Sequence, residues 1–179
     1  MKENWQKDFL KIAQSICTKG KKVLKVDVWN ELYGLPIVGN IAGQTYQIEI
    51  DEKRVRQAIK AGLCNVMLGD CRRMPYPENM FDVVLDFLTI GRGYKEYQLA
   101  LFEYARILKP RGMLAIVYWT ATEEYEQCDK FGGIKQMYFC RVEFEGELRR
   151  YFEIQKLWNF AVNEKNRLLK ARAFIGRKR

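Results

Sequence analysis

Residues 68–88, LGDCRRMPYPENMFDVVLDFL, decide how this chain folds. The second half, FDVVLDFL (81–88), is a near-continuous apolar run, the pattern of a strand covered on both faces inside a parallel sheet. The first half, GDCRRMPYPEN, is rich in Gly, Asp, Asn and Pro and reads as a long turn. CNVML (64–68) leads into that turn as a shorter strand. On the other side, Tyr97, Leu101, Tyr104, Ala105 and Leu108 fall on one helical stripe. Pro110 and Gly112 then break the chain before a further buried strand, MLAIVYW (113–119).

The same alternation extends upstream. Trp5, Phe9, Ile12, Ala13 and Ile16 recur at helical spacing and Gly20 follows as a stop, which predicts an amphipathic N-terminal helix. VLKVDV (23–28) and YQIEI (46–50) read as strands, separated by the Gly- and Pro-containing segment 33–43, a loop running into a short helix. Asp51 is a good N-cap for a helix over 52–61 that Gly62 ends. Strands alternating with helices over this length predict a right-handed α/β sheet with helices on both faces. Downstream, QMYFCRVEF and ELRRYFEI flank Gly146 with alternating patterns and predict a C-terminal antiparallel hairpin. Leu157, Trp158, Ala161, Val162, Leu168 and Leu169 predict a last amphipathic helix leading into a basic end. The expected division is therefore 1–155 for the α/β domain, with its N-terminal helix as a lid, and 156–179 for a closing helix and tail.

The composition of the 179 residues, 48% hydrophobic and 30% charged, is that of a globular protein. No apolar run is long enough for a membrane span, and the first 25 residues have no signal-peptide core. Five scattered cysteines without a C-x-x-C pair point to reduced thiols and a cytoplasmic setting. Histidine is absent, which removes Ser-His-Asp and His-metal chemistry; no metal site is expected. The net charge of +9 belongs to the ends: residues 1–25 hold seven basic and two acidic side chains, residues 165–179 seven basic and none acidic. Segment 165–179 is accordingly either an attachment point for RNA or another polyanion, or a solvated tail.

Three stretches together resemble the class I S-adenosylmethionine-dependent methyltransferases, especially the small UbiE-like group. They are IEID (48–51), the quoted 68–88, and LFEYARILKPRGMLAIVYW (101–119). The resemblance implies a Rossmann-like, mostly parallel sheet. It also implies S-adenosylmethionine as cofactor, with Glu49 taking the ribose hydroxyls, Asp70 the adenine amino group, and the backbone of Cys71 facing the ring. Glu49 and Asp70 should then converge on one adenosine-sized cleft. The family's Gly-x-Gly-x-Gly loop after the first strand is degenerate here. Asp27 stands at the acid in one register and Trp29 at a glycine, so Trp29 either stacks on a ligand or plugs the pocket as core. Asp86 and Tyr118, at the ends of the next two strands, are the candidates for a catalytic role. Arg92 could steer an acidic substrate.

Two functions stay open on these residues. One is a methyltransferase acting on an unidentified acceptor. The other is a catalytically inactive methyltransferase-fold subunit for binding or assembly, contacting RNA, a protein partner or a second copy of itself through its basic termini. An NAD-binding reading ranks behind both, because its Gly-x-Gly-x-x-Gly is missing.

Overall fold

The computed structural model describes residues 5–92, 96–121, 125–128, 135–164 and 167–179. Its centre is a parallel sheet in the order β3–β2–β1–β4–β5: β3 Val66–Leu68, β2 Gln44–Glu49, β1 Lys22–Val26, β4 Phe81–Phe87 and β5 Leu108–Ala121. The apolar run 81–88 is the middle of this sheet. β4 pairs in parallel with β1 on one side and β5 on the other, and Phe81, Val83, Val84 and Leu85 are fully buried. Alternate residues of each strand face opposite layers, as the strand repeat requires. Val23, Val83, Leu85, Ala115 and Val117 meet helix α1 (Trp5–Ile16) through Phe9, Ile12 and Ala13; Phe9 stacks on Phe87 at 4.8 Å. Leu24, Val84, Leu114 and Ile116 meet α4 (Tyr97–Ile107) and α5 (Arg141–Tyr151) through Leu101, Tyr104, Phe144 and Leu148. Helices thus cover both faces, as expected.

Local signals hold where the chain is locally self-sufficient. Helix α3 (Glu52–Lys60) begins at Asp51, whose carboxylate accepts hydrogen bonds from the backbone N–H groups of Lys53 (2.8 Å) and Arg54 (3.3 Å). It ends before Gly62, which adopts φ +85°. Between β1 and β2 a short helix, α2 (Trp29–Tyr33), precedes the expected loop, which runs into a single 3-10 turn at Val38–Asn40. Helix α1 packs against the sheet face through Phe9, Ile12 and Ala13.

The C-terminal third departs from the sequence reading. Residues 141–151, expected as part of a hairpin, form α5. Phe144 and Leu148 lie four apart on its buried side, while Gly146 faces open space. Of the residues expected as a helix, 157–164 lie in strand β8 (Phe152–Glu164) and 167–169 in strand β9 (Arg167–Lys178). The antiparallel C-terminal hairpin exists, but it is built from β8 and β9. The physical reason is the free edge of β5: β9 pairs antiparallel along Met113–Trp119 and satisfies backbone groups that no helix could reach. At the end of β5, Thr120 and Ala121 pair in parallel with β7 (Lys135–Cys140), which itself pairs antiparallel with β6 (Tyr125–Cys128).

The basic end is therefore sheet, with Ala171, Ala173, Phe174 and Ile175 buried. Arg172 pairs with Glu145 at 2.8 Å, and the Lys178 ammonium donates to the carbonyl of Leu108 at 2.6 Å and to Asn79 Oδ1 at 3.0 Å. Among the described residues no helix is long and apolar enough to cross a membrane, and no group of three or more Cys, Asp or Glu side chains could hold a metal ion.

Candidate functional site

Strand order reverses between β1 and β4, and crevices of open parallel sheets lie beyond the carboxyl ends of the strands at such a point. A cavity of about 240 Å³ opens there, lined among others by Asp27, Glu49, Asp70, Cys71, Thr89 and Arg92. Glu49 ends β2 and Asp70 follows β3, so the parallel register of the two strands carries both carboxylates to one wall. The convergence expected of Glu49 and Asp70 is present. Ile48, Ile50 and Cys71 give the same wall an apolar surface.

Each acid is held by the chain itself. Glu49 is 3% exposed; its Oε2 accepts the Val28 N–H at 3.3 Å, its Oε1 accepts the Asp51 N–H at 3.0 Å, and Arg54 lies 3.7 Å away. Asp70 is gripped by Arg72, which donates Nη2 at 2.6 Å, Nε at 3.0 Å and its backbone N–H at 2.8 Å. Partial burial raises the Asp70 pKa, but the Arg72 hydrogen bonds and charge outweigh it and hold the carboxyl below its ordinary value. Arg72 also donates to Glu96 at 3.1 Å, linking the turn after β3 to the start of α4.

Where a glycine loop would stand, the chain has a buried ion pair. Lys25, 1% exposed, donates to Asp27 Oδ1 at 2.9 Å and to the Asp27 carbonyl at 3.0 Å. Asp27 takes φ +64°, a conformation glycine adopts freely and other residues seldom do. Its Oδ1 also accepts the Trp29 N–H at 2.9 Å and its Oδ2 accepts the Thr89 hydroxyl. Burial raises the pKa of Asp27, but Lys25 and these hydrogen bonds hold it below the ordinary value. Trp29 does not line the cavity. It is half-buried on α2, with its ring 6.2 Å from that of Tyr33, and does not fill the hollow.

The two candidates for catalysis lie elsewhere. Asp86 is fully buried on the α4 face of β4, accepting from the Tyr104 hydroxyl at 2.6 Å and from the Thr89 and Ile90 N–H groups at 2.9 and 3.2 Å. Desolvation raises its pKa to about 6, against those three hydrogen bonds. Tyr118 is buried beneath α5, its hydroxyl 3.3 Å from Glu145. Burial raises its pKa, with the Glu145 charge adding to the rise. Neither lines the cavity. Thr89, Arg54 and Arg72 do line it and were not singled out from sequence. The available signal was positional: Thr89 stands just beyond the end of a central strand, and Arg54 lies one helical turn after the Asp51 cap.

Residues 11–116, more than half of the chain, match the methyltransferase domain family. The chain belongs to the S-adenosylmethionine-dependent methyltransferases. A demethylmenaquinone methyltransferase of Geobacillus kaustophilus is 29% identical over 151 residues, covering 78% of this chain and 59% of that protein. The chain thus spans about three fifths of that relative's length. Among solved structures of the methyltransferase fold, the 1,6-didemethyltoxoflavin-N1-methyltransferase of Burkholderia thailandensis superposes with a TM-score of 0.77 at 14% identity, over 99% of this chain and 79% of that one. That structure has 1,6-didemethyltoxoflavin and S-adenosylhomocysteine bound. A Haloferax volcanii methyltransferase in complex with the Trm112 methyltransferase activator superposes with a TM-score of 0.75 at 14% identity, over 98% of this chain and 89% of that one. At those identities the likeness to both structures is one of fold.

Proposed function

We propose that this methyltransferase-family chain binds S-adenosylmethionine and transfers its methyl group to an acceptor whose identity the residues leave unspecified. The observation that carries the reading is the meeting of Glu49 and Asp70 in one cavity from the tips of β2 and β3. The donor set fits the adenosine half of the cofactor. The Glu49 carboxylate keeps acceptor capacity beyond its two backbone bonds for a vicinal diol. Asp70 accepts from an exocyclic amine once Arg72 shares it, and Ile48, Ile50 and Cys71 supply the apolar contact for a purine. The bound cofactor supplies an electrophilic methyl group; the chain's part is to hold it in line with a nucleophile and to exclude water. Asp86 and Tyr118 take no direct part in this reading, being buried away from the cavity.

Calorimetric titration with S-adenosylmethionine and S-adenosylhomocysteine tests the reading. Micromolar binding weakened about tenfold or more by Asp70→Ala and by Glu49→Gln is expected, since hydrogen bonds to a charged group are worth about 1.5–3 kcal/mol. Absence of heat from folded protein would leave only the architecture.

The alternative, a methyltransferase-fold binding or assembly subunit, draws on the Lys25–Asp27 pair and helix α2 standing where the family places its glycine loop. A protein partner accords with the activator-bound Haloferax relative. A polyanion partner would have to use the residues of 165–179 that stay exposed, such as Lys170 and Arg179. Salt-dependent retention on RNA that disappears in Lys170→Glu/Arg179→Glu would support that contact. A cytoplasmic setting accords with free Cys17, Cys64, Cys71 and Cys140.

A further inference from the structure

The amino-acid arm of the cofactor carries a carboxylate, and in this chain the backbone after β1 cannot receive it. The Asp27 N–H donates to the Ile48 carbonyl at 2.8 Å, the Val28 N–H to Glu49, and the Trp29 N–H to Asp27. All three donors in the first residues past β1 are committed to the chain's own acceptors. The nearest buried cation, Lys25, is already engaged by Asp27, and Glu49 lines the cavity beside that pair. The gap between β1 and β4 is itself spanned, because the Thr89 hydroxyl from the β4 side reaches Asp27 on the β1 side.

The lining offers three cations, Arg54, Arg72 and Arg92. Arg54 stands by Glu49 and Arg72 by Asp70, at the ribose and purine positions of the reading above. Arg92 lines the cavity from the turn that follows β4; its backbone N–H donates to the Thr89 carbonyl at 3.0 Å, which ties it to the residue that closes the gap beside Asp27. A guanidinium has five N–H donors in a planar fork and receives a carboxylate in bidentate fashion alongside its other partners.

We propose that Arg92 is the cofactor-specificity residue of this chain, pairing with the carboxylate of the amino-acid arm in place of the missing glycine loop. The inference rests on the cofactor reading above. Two probes separate its failure from the failure of that reading. S-adenosylhomocysteine carries the arm; 5′-methylthioadenosine shares the nucleoside and the thioether but has no amino-acid carboxylate. In calorimetric titrations the unaltered chain binds S-adenosylhomocysteine more tightly than 5′-methylthioadenosine. Arg92→Ala weakens S-adenosylhomocysteine by about tenfold or more while leaving 5′-methylthioadenosine within about twofold. Arg92→Lys keeps the charge, loses the fork and falls between. Unchanged 5′-methylthioadenosine binding also shows that the variant is folded. Equal affinity of the two probes for the unaltered chain would overturn the assignment, as would an Arg92→Ala variant that loses both alike or neither. Failure of both probes to bind the unaltered chain would overturn the cofactor reading and this assignment with it.

Discussion

Asp86 gives the sharpest quantitative test of the physical account. Its carboxyl is completely buried, and desolvation lifts its pKa from 3.8 to about 6. For an acid whose folded pKa is raised, the folded state binds the proton more tightly than the unfolded state does. Stability is then greatest below the unfolded value, declines as pH rises between the two values, and levels off above the folded one. A shift from 3.8 to about 6 corresponds to about 3 kcal/mol in total, of which about 1.3 kcal/mol falls between pH 5 and pH 7. The chain contains no histidine, so the usual titrant of that window is absent. Asp27, Asp70, Asp82 and Glu103 are all held below their ordinary values, so their contributions are lost only at lower pH. Asp86→Asn carries no proton to lose. Its side-chain carbonyl can still accept from the Thr89 and Ile90 N–H groups, and the Tyr104 hydroxyl can rotate to accept from the amide nitrogen. Urea unfolding of both proteins across pH 5–7 measures the difference. The asparagine variant should gain on the parent by about 1.3 kcal/mol over that range; parallel stability curves would refute the assignment of a raised pKa to Asp86.

Two further substitutions probe separate parts of the structure. Lys25→Met strands the buried Asp27 charge and should cost about 3–5 kcal/mol in urea unfolding, most of it recovered in Lys25→Met/Asp27→Asn; a loss under about 1 kcal/mol would contradict the buried pair. Gly146→Ala should raise stability by about 0.5–1 kcal/mol, because the position is helical and an added Cβ meets nothing within 4 Å; destabilisation would restore a hairpin over 136–154.

The sequence by itself determined the parallel core and the order of its strands along the chain. The near-continuous apolar run at 81–88 has the pattern of a strand buried on both faces, and Asp51 and Gly62 bounded α3 through caps made within a few residues. Glu49 and Asp70 were brought forward by the family resemblance, and the parallel register of β2 and β3 sets both on the lining of one cavity. Only the tertiary structure decided the remainder. Residues 157–169 carry a pattern that suits a helix, yet the open edge of β5 demands a partner ladder, and β9 with its companion β8 supplies one. In the opposite sense, 141–151 alternates locally but buries Phe144 and Leu148 as one helical side. The replacement of the glycine loop was equally hidden. Lys25 and Asp27 at the end of β1 and Thr89 just past β4, 62 residues beyond Asp27, form a network that exists only where the ends of β1 and β4 meet. Contacts within a turn or a strand are written in local order, whereas a buried ion pair and a satisfied sheet edge depend on which distant segments the packing brings together.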